Sequence, residues 1–166
     1  MPWRMLARDV ALVALTLVFW RVDGGLRGGA GALPVLIGVL TGVLTAISGY
    51  LVHEWGHLLA ARASGGTVHF PERLTSTFLF FFDVGQSSRR QFLAMSLGGF
   101  AASAVSVPLL LALLPAGAIA TWVAYVLILL GVVATLATEL PPFFRVWRGA
   151  RLPRGFVYRD GTRQGA

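Results

Sequence analysis

Two histidines and a glutamate stand at a spacing that suits a metal site. His53, Glu54 and His57 lie in the stretch HEWGH. On an α-helix, side chains four positions apart lie one above the other, so both imidazoles can reach one ion. Glu54 points to one side, where it can take a proton from a water molecule without becoming a ligand. The pattern is typical of zinc hydrolases, and it predicts His53 and His57 as ligands and Glu54 as the general base.

Few residue types are available to hold a metal. The chain has three histidines, seven acidic residues and no cysteine. Because there is no cysteine, disulfide bonds and thiolate ligands are excluded. Imidazoles and carboxylates must therefore hold any metal ion.

The elements that carry this motif are hydrophobic enough to lie in a membrane. Hydrophobic residues make up 56% of the chain, charged residues 13%, and the mean hydropathy is +0.74, which is more apolar than ordinary soluble domains. Uncharged runs of spanning length cover residues 33–52, 92–114 and 117–138. We therefore predict an all-α membrane protein of about four transmembrane helices, with a short β-containing or re-entrant loop between the second and the third.

The first of the four predicted helices lies near the N-terminus. Residues 10–20 are apolar, and residues 5–7 extend this run to spanning length if Arg4 and Arg8 reach the membrane surface. A cleaved signal peptide is the alternative, but residues 20–23 offer no small-residue cleavage site. We expect a single membrane domain over residues 1–146 and a basic cytoplasmic tail over residues 147–166.

The arginines predict the orientation of the spans. With four spans, twelve of the fourteen arginines share the side of the N-terminus, the loop 62–90 and the tail, and arginine-rich loops are cytoplasmic. His53 lies nine residues before Arg62, roughly 13 Å along a helix axis, so the motif would lie within the membrane near its cytoplasmic face. All fourteen basic residues are arginines, which indicates a high-GC genome, and we expect a multi-pass protein of a prokaryotic plasma membrane.

Membrane topology is sufficient to explain the net positive charge of the chain. The net charge is +7, and basic flanks are what membrane topology and anionic lipid headgroups already require. We therefore expect the lipid bilayer, and no nucleic acid, as a partner. Nothing in the sequence indicates an oligomeric state.

Small residues line the predicted helix that bears the motif. Gly42, Gly49 and Gly56 recur every seven residues, on the face that carries His53 and His57. Another helix can approach closely there. The third hydrophobic run begins with a cluster that offers a partner surface: Ser96, Gly98, Gly99, Ala101, Ala102 and Ser103.

Two stretches carry a family resemblance. Residues 53–70, HEWGHLLAARASGGTVHF, resemble the opening motif of the site-2 protease family of intramembrane metalloproteases, with its small residues, glycine-containing turn and β-rich loop. Residues 89–105, RRQFLAMSLGGFAASAV, are similar to the segment where that family has a small-Gly-Pro motif, although Phe100 stands where proline is usual. The resemblance, which covers about residues 49–142, implies a metallopeptidase domain and a zinc metalloendopeptidase with one Zn²⁺ per chain. Its substrate would be a membrane protein or peptide, cut in or near a transmembrane segment.

The family implies a third zinc ligand, normally an Asp-Gly at a broken point of a later helix. Residues 138–145 read TELPPFFR and contain no Asp-Gly. The double proline should stop or unwind the helix just after Glu139, and Glu139 lies six residues before Arg145, about 9 Å along a helix axis. That depth is close to the depth of the histidines. We therefore predict Glu139 as the third ligand, completing a site of two histidines and one carboxylate.

Other assignments stay open at this point. Glu139 could instead reach the membrane surface or pair with Arg145 or Arg148. Asp83 is the chief competitor as third ligand, since a re-entrant loop could return it to the metal, and His69 is a weaker candidate. The alternative function is a catalytically inactive site-2-protease-like membrane protein with a binding or regulatory role. A small transporter or assembly subunit, in which the motif is incidental, is the remaining class.

The loop after the motif predicts two short strands. Residues 67–70 and 75–82 are rich in Thr, Val and Phe and are separated by a turn around Pro71. A hydrophobic loop on the bilayer surface is the structural alternative. The functional interpretation is a strand edge that pairs with an unwound substrate helix, because the carbonyls of an intact membrane helix are locked in internal hydrogen bonds.

Overall fold

The chain is mostly helical. The computed structural model describes residues 3–153 and 158–159. The helices are α1 (Trp3–Leu26), α2 (Ala32–Ala63), α3 (Arg89–Leu113), α4 (Ile119–Thr138) and α5 (Leu140–Trp147), and the strands are β1 (Val68–His69), β2 (Phe81–Asp83) and β3 (Tyr158–Arg159).

Three helical stretches in the described part of the chain are long and apolar enough to cross a membrane, by length and composition. They are Ala32–Ala63, Arg89–Leu113 and Ile119–Trp147, the last of which joins α4 and α5. Helix α1 is not among them, because charged residues stand near both of its ends, among them Asp9 and Asp23. The prediction of a membrane protein agrees with three candidate spans, and the fourth span stays a prediction.

The contacts divide the chain into two compact units. The first comprises Met1–Leu51 and Val105–Val133, and the second comprises Val52–Ala104 and Ala134–Ala166. The predicted tail falls mostly outside the described residues, since α5 ends at Trp147 and residues 154–157 and 160–166 are not described. The predicted boundary at residue 146 therefore stays a prediction.

In the first unit, α1 packs on α2 through polar side chains. The hydroxyl oxygens of Thr16 and Ser48 lie 2.9 Å apart, and Trp20 Nε1 donates to Thr45 Oγ1 at 2.9 Å. Thr16 is buried together with the two aspartates of α1, whereas the apolar residues Val10, Leu17 and Val18 are exposed. This arrangement reverses the pattern of a helix in a soluble protein, which buries its apolar face.

Small residues bring helices together in both units, as the sequence predicts. In the first, a Cβ added to Gly42 would lie 2.6 Å from the carbonyl oxygen of Ala120 on α4. In the second, a Cβ on Gly98 of α3 would lie 2.3 Å from Ala60 Cβ and 2.4 Å from the carbonyl oxygen of Gly56, both on α2. The predicted partner surface on the third run is thus confirmed at the motif. Gly42, however, packs against α4.

A small sheet in the second unit follows the motif helix. β1 pairs antiparallel with β2, with Val68 opposite Phe82, and β2 pairs parallel with β3. The predicted strand over 75–82 is wrong for residues 75–80, since β2 begins only at Phe81. The physical reason lies at Leu79, whose backbone N–H donates to the Glu54 carboxylate at 3.1 Å rather than to a neighbouring strand.

Candidate metal centre

The structure brings together the three ligands that the sequence predicts. His53 and His57 lie one turn apart on α2, and their Nε2 atoms are 2.9 Å from each other. Glu139 Oε1 lies 3.2 Å from His53 Nε2, and Oε2 lies 3.1 Å from His57 Nε2. Both histidines are buried, and Glu139 is half-buried. Among the described residues, this is the one group of three or more such side chains close enough to share a metal ion.

The second nitrogen of each imidazole is bound to α3. His57 Nδ1 donates to the carbonyl oxygen of Met95 at 2.9 Å. His53 Nδ1 lies 3.1 Å from the carbonyl oxygen of Gly99 and 2.8 Å from Ser103 Oγ. Since a carbonyl oxygen can only accept, these contacts require a proton on each Nδ1, and a ring in its neutral form then presents a lone pair at Nε2. Histidines that bind metals are usually oriented in this way by their second nitrogen.

The donor set fits a divalent metal ion. Two lone pairs and a carboxylate face one another within 3.2 Å. A proton shared among them would be directed at one neighbour, whereas a central cation interacts with all three. Ligands about 2.0–2.1 Å from a tetrahedral ion lie about 3.3 Å apart, which is close to the observed separations.

Glu139 reaches the histidines from a break in a helix. α4 ends at Thr138, and Pro141 and Pro142 have no N–H to donate to the carbonyls four residues before them. The prediction that the helix stops or unwinds just after Glu139 holds only in part, since α5 begins at Leu140 and the interruption is confined to Glu139. Glu139 keeps near-helical backbone angles of φ −103° and ψ −36°. Its N–H donates to the Thr135 carbonyl oxygen at 2.9 Å.

Glu54 lies apart from the three ligands. It follows His53 in the chain, is buried, and accepts a hydrogen bond from the Leu79 N–H at 3.1 Å. It does not belong to the group that could share the metal, and its role as general base stays a prediction.

The two competing candidates for the third ligand lie together elsewhere. Asp83 is fully buried, and its Oδ1 accepts hydrogen bonds from the N–H groups of Gly85 at 2.9 Å and Gln86 at 3.1 Å. Its Oδ2 lies 2.8 Å from His69 Nε2. Asp83 therefore holds a turn and binds His69 across the β1–β2 pair. Neither residue belongs to the metal group.

The sequence predicts a partner surface on α3 but not the hydrogen bonds by which α3 holds the imidazoles. Met95, Gly99 and Ser103 recur every four residues, so they lie on one face of α3 and match the four-residue spacing of the histidines. That spacing indicates contact with the histidines only once α3 is known to pack on α2. Gly99 is also required for space, since a Cβ there would lie 2.2 Å from His57 Nε2.

No protein-family model, curated protein or solved structure matches this chain. A functional conclusion therefore rests on the sequence motif, on the geometry of this centre and on its place in an apolar chain.

Replacing Glu139 by Ala should remove bound metal from the purified protein. Wild-type protein in detergent should carry about one divalent ion per chain, measured by elemental mass spectrometry. The Glu139→Ala variant should lose most of it, because the two imidazoles alone leave the ion short of one charged ligand.

Asp83→Ala serves as the matched control, since it also removes one carboxylate from the second unit. It should keep the metal but lower the free energy of unfolding by about 1–3 kcal/mol, because two turn N–H groups lose their acceptor. Metal retained in Glu139→Ala and lost in Asp83→Ala would reverse the assignment.

Proposed function

We propose that this chain is an intramembrane zinc metalloendopeptidase, similar to site-2 proteases, that hydrolyses a peptide bond in or near a transmembrane segment of a membrane protein. One observation carries the proposal: His53 Nε2, His57 Nε2 and the Glu139 carboxylate converge within 3.2 Å, in helical stretches apolar enough to span a bilayer. The resemblance of residues 53–70 to the family's opening motif supports it independently of the geometry.

Zinc is the ion that this donor set suits best. Two neutral imidazoles and one carboxylate form the ligand set of several catalytic zinc sites, in which a fourth position stays open. Zinc, when bound, supplies a Lewis acid that polarises a peptide carbonyl and makes a water molecule more acidic. We assign one ion per chain to His53, His57 and Glu139.

Glu54 is assigned the proton transfers. Its carboxylate would take a proton from the attacking water and give it to the nitrogen of the leaving amine. The hydrogen bond from Leu79 N–H fixes one of its oxygens, and its burial keeps bulk water away from the reacting groups. Peptide hydrolysis needs both transfers, and a single positioned carboxylate can perform them in turn.

The small sheet is suited to hold an unwound substrate. β1 lies at an edge of the strand order β1-β2-β3, so an extended peptide could add to it through backbone hydrogen bonds. A substrate helix must lose its internal hydrogen bonds before its carbonyls become accessible. Pairing with a strand edge compensates for that loss within the membrane region.

The proposed setting is a multi-pass protein in a prokaryotic plasma membrane, with the metal centre toward the cytoplasm. Helix α1 would be the fourth span, because it buries Asp9, Thr16 and Asp23 and exposes its valines and leucines, as a helix in lipid does. The arginines of the loop 62–90 and of the C-terminal region support a cytoplasmic location for that side, because arginine-rich loops are usually cytoplasmic. The lipid bilayer is then a partner, and no nucleic acid is needed to explain the charge.

The second candidate is an inactive relative that binds membrane segments without cutting them. The observation that favours it is Phe100, which stands where the family usually has proline and whose ring centroid lies 6.4 Å from that of His57. A bulky ring there narrows the space beside the metal centre. Metal binding without any cleavage distinguishes this candidate from the protease.

The Glu54→Gln variant should keep its metal and lose cleavage. The amide cannot accept and return a proton, so the rate of hydrolysis should fall by at least 100-fold, while His53, His57 and Glu139 remain. The assay uses proteoliposomes that contain a panel of tagged single-span peptides, and it follows their cleavage by gel and mass spectrometry.

Wild-type protein provides the reference in every proteoliposome preparation. Zinc-loaded wild type that cleaves none of the panel would favour the inactive relative. Cleavage that persists undiminished in Glu54→Gln would contradict the assigned role of this residue.

Single-cysteine variants test the orientation, because the chain has no cysteine of its own. Ala30, between α1 and α2, and Thr75, between β1 and β2, are both exposed. A membrane-impermeant maleimide should label Ala30→Cys on intact cells and Thr75→Cys only after permeabilisation. Trp3→Cys, at the start of α1, should be protected like Thr75→Cys if α1 spans the membrane. Labelling of Thr75→Cys on intact cells would place the metal centre on the opposite side.

A further inference from the structure

We propose that Phe100 and Phe143 form a positioning pair that holds Glu139 in the metal centre. The inference rests on the metal site proposed above and adds to it the device that fixes the third ligand. Neither ring would touch the metal or the substrate; Phe143 would act through Glu139, and Phe100 would act through Phe143 and His57.

The segment that carries Glu139 has lost part of its backbone support. Pro141 and Pro142 donate no hydrogen bonds, so the helix is interrupted next to the ligand. Glu139 has no side-chain capping hydrogen bond at the start of α5, because its carboxylate faces the histidines. Two helical hydrogen bonds are therefore missing beside the ligand, and a contact from another helix can compensate for them.

Phe143 is placed to hold the segment that carries Glu139. It lies four residues after Glu139, and its N–H donates to the Glu139 carbonyl oxygen at 3.1 Å. Residues four apart in a helical segment share a face, so the Phe143 ring and the Glu139 carboxylate lie on the same side of the chain. The Phe143 ring meets Phe100 of α3 edge to face, with ring centroids 5.5 Å apart.

Phe100 links this contact to the histidines. It follows Gly99, whose carbonyl oxygen lies 3.1 Å from His53 Nδ1. Its ring also meets His57 edge to face, at 6.4 Å between centroids. One short stretch of α3 therefore holds both imidazoles and, through an aromatic contact, the segment that bears the carboxylate.

The test measures zinc affinity by chelator competition on the full chain in detergent. Phe143→Leu and Phe100→Leu should each weaken zinc binding about 10- to 100-fold, the range seen when outer partners of metal ligands are removed. Phe143→Tyr, which keeps the ring, should restore most of the affinity. Phe82→Leu is the matched control, since Phe82 and Phe92 form a similar edge-to-face pair in the same unit, 6.1 Å apart. It should leave zinc affinity within about twofold of wild type.

Repeating the measurement in the Glu139→Ala variant separates the positioning of Glu139 from a general effect on folding. In Glu139→Ala, where no carboxylate remains to be positioned, adding Phe143→Leu should leave the residual zinc affinity unchanged. The inference is overturned if Phe143→Leu behaves like Phe82→Leu, or if it weakens binding equally in both backgrounds. If Glu139→Ala alone keeps the wild-type affinity, the proposed ligand set fails together with the role of the pair.

Discussion

The metal centre depends on two hydrogen bonds from imidazole Nδ1 atoms to backbone carbonyls of α3. They direct the Nδ1 proton of His53 and of His57 toward α3, so that both Nε2 atoms point into the same small space. They also require α3 to lie very close to α2. The glycines at positions 56 and 98 permit that approach, and Gly99 leaves room for the His57 ring. A stripe of small residues, which in a membrane bundle often serves packing alone, here determines the geometry of the candidate metal centre.

The carboxylate completes this arrangement from a different helical segment. His53 and His57 stand on the continuous helix α2. Glu139 stands instead at a short interruption beside two prolines, and its carboxylate faces the histidines. The burial of both imidazoles makes their lone pairs costly to leave without a cation.

The sequence predicts the histidines, the carboxylate and the long helices because each depends on local pattern. The HEWGH spacing needs only helical periodicity to bring the two histidines together. A double proline such as Pro141-Pro142 interrupts the hydrogen bonds of any helix that contains it. The roles of Met95, Gly99 and Phe100 could not be predicted, since they arise from the packing of α3 on α2 and on the segment after Glu139. The strand predicted over residues 75–82 was wrong in its first part for a similar reason. A side chain distant in sequence, Glu54, takes the backbone donor of Leu79 that a strand would have used.

X-ray absorption spectroscopy of the zinc-loaded wild-type protein tests the central claim most directly. The outer-shell scattering of imidazole rings counts the histidine ligands, and the nearest shell reports the distances to nitrogen and oxygen. The account predicts two imidazoles and a carboxylate oxygen at about 2.0–2.1 Å from the zinc, with the oxygen contribution reduced in Glu139→Ala. Zinc bound with no imidazole or with only one would contradict it, because His53 and His57 would then not hold the ion together.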